Sequence, residues 1–329
     1  MSSAGAAISV RGLAKRYGDV EAVRGIDFEV APGETFGFLG PNGAGKSTTI
    51  HMLCKLARPT AGSASVAGFD VVSERLAVRR SIGLVFQDTT LDSYLTAAEN
   101  LRFHAELYGL PRAGLSQRIA EVLDLVGLAD RAGALVLTFS GGMKRRLEIA
   151  RGLLHAPRVL FLDEPTIGLD PQTRSSIWEY LAALRERESM TIFLTTHYMD
   201  EAEHCDRIAI IDEGVIVTTG SPTELKAGVG ADRVAFSTSE PELAIAALRE
   251  RFDVEGSLHE GEVICHVAAG DRFVPRLFAE LGVEIESVSV ARPSLDDVFM
   301  SWTGRTIRDA EADAVDRNRA FARAFRGRR

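Results

Sequence analysis

Residues 34–50 read ETFGFLGPNGAGKSTTI, and three local patterns meet in them. ETFGFLG (34–40) is a short apolar run of the kind that forms a buried strand. GPNGAGKS, from Gly40 to Ser47, fits the phosphate-loop spacing G-x-x-x-x-G-K-[ST]. GKSTTIHMLCKLA (45–57) then places Ile50, Leu53, Cys54 and Ala57 at helical spacing. A glycine-rich turn alone says little, but a strand before it and a helix after it are the context a phosphate loop requires. Glycines let backbone N–H groups turn inward around phosphate oxygens, and the helix N-terminus adds positive potential. Lys46 is then expected to reach the β- and γ-phosphates, and Ser47 to offer its hydroxyl to Mg²⁺.

Moving outward, SIGLVFQ (81–87), VLFLDEP (159–165) and MTIFLTTH (190–197) repeat the apolar strand pattern. The stretches 97–109, 115–128, 141–155 and 171–188 read as helices between them. Such alternation predicts an α/β fold whose largely parallel sheet is covered on both faces. Beyond about residue 230 the texture changes to a βαββαβ order: DRVAFSTS, PELAIAALRERF, a weaker strand near 254–259, GEVICHVAA, FVPRLFAELG and EIESVSVA. That order predicts a small α+β, ferredoxin-like module, closed by a short helix at 294–304. The expected division is 1–228, with a helical subdomain over about 88–157, then 229–304, then a flexible tail at 305–329. In that tail Phe321 and Phe325 have the i,i+4 spacing of a helix formed on binding.

Composition narrows the function. Hydrophobic residues at 46% and charged ones at 26% suit an ordinary protein with a full core, and a net charge of −8 argues against a broad nucleic-acid-binding face. Cys54, Cys205 and Cys265 are far apart and form no CxxC pair, so buried thiols are expected and no metal site. The start, MSSAGAAISVRG, lacks the charged and apolar regions of a signal peptide. No apolar run approaches the ~18–20 residues that span a bilayer.

VLFLDEP supplies a partner for the phosphate loop. Asp163 ends an apolar strand, placed to hold Mg²⁺ directly or through water, and Glu164 diverges from it toward an attacking water. Gln87 and His197 also end strands, in reach of metal, water or γ-phosphate, although such residues are more often structural. Tyr17 suits either a core or a stacked base. A second glycine turn occurs in TFSGGMKRR (138–146). Ser140 reads as an N-cap with Met143 at N3, where Gln would complete a capping box and Met does not. Met143, Leu147, Ala150 and Leu154 form one apolar stripe, with Lys144, Glu148 and Arg151 expected on an opposite, solvated face.

Tyr17, GPNGAGKST, Gln87, FSGGM, LFLDEP, IGLD and TTH fall in the order and spacing of an ATP-binding cassette (ABC) nucleotide-binding domain, which the chain resembles over about residues 8–225. The resemblance implies a P-loop NTPase fold, with ATP and Mg²⁺ as ligands. It implies that Tyr17 stacks on adenine and that Gly40, Pro41, Asn42, Gly43, Ala44, Gly45, Lys46, Ser47 and Thr48 hold the phosphates. By the same resemblance Gln87 senses the γ-phosphate and the permease and counts with Glu164 and His197 as catalytic, Asp163 serves Mg²⁺ with Ser47 and Gln87 in reach of it, Glu164 polarises water and His197 clamps the γ-phosphate. Ser140, Gly141, Gly142 and Asp170 contact ATP on the opposite subunit, so the chain must pair with a second copy or a sister chain. Phe139 and Met143 depart from the usual LSGGQ signature. SGGMKRRLEIA, GLDPQTRSSIWE and RPSLDDVFMSWTGR further resemble ATPases of daunorubicin-resistance exporters. That likeness implies a peripheral subunit on the cytoplasmic face of a membrane, driving a separately encoded permease through residues near 88–108 and exporting a hydrophobic drug, antibiotic or lipid-like cargo. An importer-type ATPase, or a soluble cassette ATPase acting on DNA or ribosomes, is the alternative. The DNA and ribosome forms call for a coiled-coil insertion or two cassettes, and the chain has neither pattern.

Overall fold

The computed structural model describes residues 5–188, 190–259, 261–304 and 307. Phe321 and Phe325 lie outside the described residues. Two compact units divide the chain, the first running to Gly220 and taking in the chain again at Ile307, the second from Ser221 to Thr306.

The first unit opens with an antiparallel hairpin, β1 (Ile8–Tyr17) and β2 (Val20–Val30). β3 (Thr35–Leu39) and α1 (Lys46–Leu53) follow, then β4 (Ala61–Val66) and β5 (Phe69–Asp70), which complete a sheet of order β2-β1-β4-β5. These strands escape a reading of the sequence because register shifts between Val10 and Leu13, Leu13 and Ala14, and Lys15 and Arg16 break the period-two alternation. Next come α2 (Arg75–Ser81), β6 (Ile82–Val85), and the helices α3 (Ala97–Leu107), α4 (Leu115–Leu125) and α5 (Gly141–Leu153). β7 (Val159–Asp163), α6 (Pro171–Glu188), β8 (Thr191–Thr196), α7 (Met199–Ala202), β9 (Arg207–Asp212) and β10 (Val215–Gly220) end the unit.

The second sheet runs β10-β9-β3-β8-β7-β6. Its five inner and distal strands are parallel, and β10 alone is antiparallel, on β9. β3, β7 and β8 are buried at every residue, as expected of parallel strands covered on both faces. Phe28 of the first sheet stacks on Phe36 and Phe193 of the second, with ring centroids 5.6 and 5.8 Å apart. Phe38 and Phe161 close on Phe193 at 5.6 and 5.5 Å, so one aromatic cluster joins the two sheets.

α5 departs from expectation on one side. Leu147, Ala150 and Leu154 are buried as the stripe requires, and Met143 is half-buried. Glu148, expected on a solvated face, is fully buried. α5 packs on β6 and on α3, α4 and α6, so the helix has apolar neighbours around most of its circumference. Glu148 is satisfied there by Arg145 at 3.2 Å and by the Thr90 amide at 2.8 Å.

In the second unit α8 (Pro222–Val229) starts on a capping box between Ser221 and Glu224. β11 (Asp232–Ser237), α9 (Pro241–Phe252), β12 (Gly256–His259), β13 (Glu262–Val267), α10 (Gly270–Glu280), β14 (Ser287–Ala291) and α11 (Leu295–Thr303) follow. The antiparallel order β12-β13-β11-β14 is that of the expected ferredoxin-like module. Val234, Phe236, Leu248, Val263, Cys265 and Leu277 build its own core. α10 begins at Gly270, three residues before the expected start, because the Gly270 amide donates to Asp232 Oδ2 at 2.8 Å. Among the described residues no helix is long and apolar enough to cross a membrane.

Candidate active site

The parallel strands bring the candidate residues to one edge. β3 ends at Leu39 and feeds the Gly40 turn, β7 ends at Asp163, β8 ends just before His197, and β6 ends two residues before Gln87. These strands are neighbours in the order β3-β8-β7-β6, so all four ends emerge side by side.

Two glycines are obligatory in the turn. A Cβ on Gly40 would lie 2.1 Å from the Ile211 carbonyl oxygen, and one on Gly45 would lie 2.5 Å from the Ala22 oxygen. Gly45 also has φ +104, a left-handed conformation open to glycine. With no side chains there, the backbone closes into a cradle at the start of α1. Asn42, Gly43, Gly45, Lys46, Ser47, Thr48, Gln87 and Glu164 line a cavity of about 260 Å³ against Ala22. The cradle, its helix N-terminus and the Lys46 ammonium fit a nucleotide's phosphates.

Lys46 Nζ donates to the carbonyl oxygens of Gly40 at 2.7 Å and Pro41 at 3.1 Å, and lies 3.5 Å from Glu164 Oε1. Ala44 is buried, and its carbonyl accepts from the Gly214 amide at 3.0 Å. Ser47 Oγ donates to Asp163 Oδ1 at 3.1 Å, and Thr195 Oγ1 donates to the same oxygen at 2.5 Å. A hydroxyl against a carboxylate beneath the phosphate cradle, with the Gln87 amide across the cavity, is a hard-oxygen donor set that fits Mg²⁺.

Glu164 is the centre of the arrangement. His197 Nδ1 lies 3.2 Å from its Oε1, and Gln87 Nε2 donates to its Oε2 at 3.3 Å. Burial by itself raises the carboxyl pKa. The hydrogen bond from His197 and the charge of Lys46 more than offset this, and hold it below the ordinary carboxylate value. Glu164 has φ +47, a left-handed conformation that non-glycine residues adopt at a cost.

Of the expected site residues outside the lining of this cavity, Gly40, Pro41, Asp163 and His197 bond directly to residues that line it and Ala44 belongs to the same turn, whereas Tyr17, Ser140, Gly141, Gly142 and Asp170 stand apart from it. Tyr17 is 48% exposed with Lys15 Nζ 4.7 Å from its ring centre, which excludes the core alternative. Ser140 Oγ accepts from the Met143 amide at 3.3 Å, the N-cap expected for α5. A Cβ on Gly142 would lie 2.2 Å from Thr173 Cγ2. Asp170 accepts from the Thr173 amide at 3.0 Å and from its hydroxyl at 2.6 Å, capping α6. The second glycine turn and the Asp170 loop therefore pack on one residue, Thr173, away from the chain's own phosphate cradle.

Three further residues escaped the sequence reading. Thr195 holds both Asp163 and the Glu164 amide, the latter at 3.1 Å. Arg145 and Glu201 are buried charges, and apart from the Arg145–Glu148 pair the partners they bond lie far away in sequence. For Arg145 the i,i+3 spacing to Glu148, repeated from Glu148 to Arg151, is the available signal. Glu201 on α7 accepts from Thr166 Oγ1. Burial pushes its pKa up to about 7, against opposing contributions from Thr196 and Arg174.

Comparison with known proteins gives two family matches. Residues 23–167 match ABC transporter, and residues 220–303 match the C-terminal domain of DrrA1-3-like ATP-binding proteins. The linearmycin resistance ATP-binding protein LnrL of Bacillus subtilis (strain 168) is 40% identical over 311 residues, covering 92% of this chain and 100% of that protein. The daunorubicin/doxorubicin resistance ATP-binding protein DrrA of Streptomyces peucetius is 40% identical over 320 residues, covering 93% and 95%. Among solved structures, cbiO1 from Clostridium perfringens, part of the ABC transporter complex cbiONQ, has a TM-score of 0.64 at 29% identity, covering 75% of this chain and 96% of that one. The ATP-binding cassette MJ0796, a dimer in a post-hydrolysis state bound to ADP and Pi, has a TM-score of 0.59 at 27% identity, covering 65% and 98%.

The raised pKa of Glu201 has a measurable consequence. Between its ordinary value of 4.5 and about 7 the folded chain keeps a proton that the unfolded chain has released. The stability this adds is complete below the lower value and is lost as pH rises through the upper one. Glu201→Gln is uncharged throughout, so its stability relative to the native chain is expected to grow by on the order of 3 kcal/mol from about pH 4.5 to about pH 8. Urea midpoints across that range test this, and parallel profiles would exclude a neutral Glu201.

Proposed function

The chain belongs to the ATP-binding subunits of ABC transporters, and on that premise we propose which residues hold and cleave ATP, what the chain pairs with and what it helps to move. It is an ATPase, and subunits of this family dimerise and work with separate membrane permease components. The backbone from Gly40 to Thr48 and the Lys46 ammonium bind the ATP phosphates, and the exposed face of Tyr17 takes the adenine. Ser47, Asp163 and Gln87 would hold Mg²⁺, which when bound neutralises phosphate charge.

Glu164 polarises the attacking water. The observation that carries this role is the convergence of Lys46, His197 and Gln87 on its two carboxylate oxygens. His197 orients one oxygen and Gln87 the other. The depressed pKa keeps the group ionised at neutral pH, a fixed negative charge that orients and polarises the water. Lys46 lies beside it where charge develops on the transferred phosphoryl group.

Ser140, Gly141, Gly142 and Asp170 complete the site of a second copy. Their packing on Thr173, outside the cavity of their own chain, supports a nucleotide sandwiched between two protomers. The chain then sits peripherally on the cytoplasmic face of a membrane, bound to a separately encoded permease. Tyr94, Phe103, Leu107 and Tyr108 stand exposed on and beside α3, within the 88–108 stretch that would meet the permease. The relatives named for linearmycin and daunorubicin/doxorubicin resistance support export, with a hydrophobic drug, antibiotic or lipid-like molecule as cargo.

Glu164→Gln is expected to lower kcat by about 10²–10⁴-fold while trapping an ATP-bound dimer, read by phosphate release and light scattering. Rapid turnover in that variant removes Glu164 from its role. In the Glu164→Gln background, Ser140→Arg is expected to abolish ATP-driven dimer formation, whereas Met143→Gln, at a half-buried N3 position, leaves it intact. Equal effects of the two would contradict the trans assignment. The paired change Tyr94→Asp with Phe103→Asp is expected to release the chain from membranes with nucleotide binding unchanged, and retention would exclude that surface as the permease contact.

A further inference from the structure

Arg145 lies on α5, five residues beyond the Ser140 cap, and the residue is 6% exposed. Its five N–H donors meet five acceptors. Nε donates to the Pro165 carbonyl at 2.6 Å, while Nη2 donates to the carbonyls of Asp163 at 3.1 Å and Glu164 at 3.2 Å. Nη1 donates to the Phe86 carbonyl and to Glu148 Oε2, the latter at 3.2 Å. Three of these carbonyls belong to consecutive residues centred on Glu164, the one with left-handed backbone. The fourth belongs to the residue before Gln87.

Glu148 and Arg151 hold the other end of the Gln87 segment. Glu148 Oε1 accepts from the Thr90 amide at 2.8 Å, and Arg151 donates to the Thr90 hydroxyl at 2.6 Å and carbonyl at 3.2 Å. The segment from Phe86 to Thr90 is thus tied at both ends to α5, the helix that begins at the second glycine turn.

From this geometry we infer that Arg145 is a positioning residue for hydrolysis: it locks the backbone of Glu164 and the Gln87 segment to the helix that contacts the partner's nucleotide. The inference rests on the assignment of Glu164 to water and of Ser140 to the nucleotide in trans. Its consequence is a mechanical link. Displacement of α5 when the Ser140 turn engages the partner's ATP moves the Phe86, Asp163, Glu164 and Pro165 carbonyls with it, so hydrolysis of a chain's own ATP follows engagement of the opposite one. Only a planar five-donor fork can serve these acceptors together. A lysine ammonium keeps the charge beside Glu148 but has three donors at a single point.

The test uses the full chain. Arg145→Lys is expected to lower kcat by about 10–100-fold with ATP affinity little changed, because a small misplacement of a reacting group costs rate more than binding. Amide hydrogen exchange at 164–167 is expected to rise by about tenfold or more, with the phosphate loop at 40–47 unaffected. Arg146→Lys loosens the same helix where Arg146 reaches Tyr180 and the Val126 carbonyl, and should leave exchange at 164–167 unchanged. Wild-type kcat, a defect confined to ATP affinity, or unaltered exchange at 164–167 in Arg145→Lys overturns the inference. A second measurement needs no change at Arg145. In the Glu164→Gln chain, ATP-driven dimer formation should protect 140–146, 163–167 and 86–90 together. Protection of 140–146 without 163–167 overturns the link, whereas failure of Glu164→Gln to form the dimer overturns the functional assignment on which it rests.

Discussion

The shared polarity of β3, β8, β7 and β6 is the constraint on which the site depends. Hydrogen-bonded register sets neighbouring strands about 4.8 Å apart, and parallel pairing makes every carboxyl end emerge at the same edge. Residues from Gly40 to His197 therefore converge without any loop having to reach across the molecule. The buried phenylalanines beneath hold the strands rigidly, with Phe193 touching the rings of Phe28, Phe36, Phe38 and Phe161. Close packing of that kind transmits displacement rather than absorbing it, and keeps the site within the tolerance its chemistry needs.

Above this frame the site holds charge where burial opposes it. Lys46 and Glu164 are both about 95% buried, and a buried pair is weak support for stability because desolvation consumes most of the Coulombic gain. Its arrangement is better understood through reactivity. A carboxylate kept ionised beside an ammonium, with both oxygens already oriented, is prepared to act on water without reorganising. The left-handed backbone at Glu164 costs about 1–3 kcal/mol and persists because its surroundings over-determine it. Thr195 from β8 and Arg145 from α5 supply that restraint from opposite directions. A residue strained and fastened in this way belongs to both the active site and the helix that fastens it.

Much of this was legible beforehand, for identifiable reasons. The phosphate loop declares itself because strand, glycine spacing, Lys-Ser and helix are all local. The buried strands show as apolar runs because parallel strands are covered on both faces. The βαββαβ order of the second unit was legible because its strands and helices are short and cleanly punctuated. β1, β2 and β4 were hidden by irregular register. Glu148 was misplaced because helical periodicity assigns two faces, whereas α5 is surrounded on most of its circumference.

Sequence alone was enough for the phosphate loop, the carboxylate pair at the end of an apolar strand, the βαββαβ order of the second unit and the cap at Ser140. Each of these is encoded within a window of a few residues, where spacing and side-chain type are sufficient. The tertiary structure alone decided that Glu164 gathers Lys46, Gln87 and His197, that the second glycine turn lies outside its own chain's cavity, and that Arg145 ties the two regions together. Those facts depend on carbonyl directions and on side chains separated by tens to more than a hundred residues. No local pattern carries such information, because a backbone oxygen has the same sequence signature whether it faces water, a strand or a guanidinium.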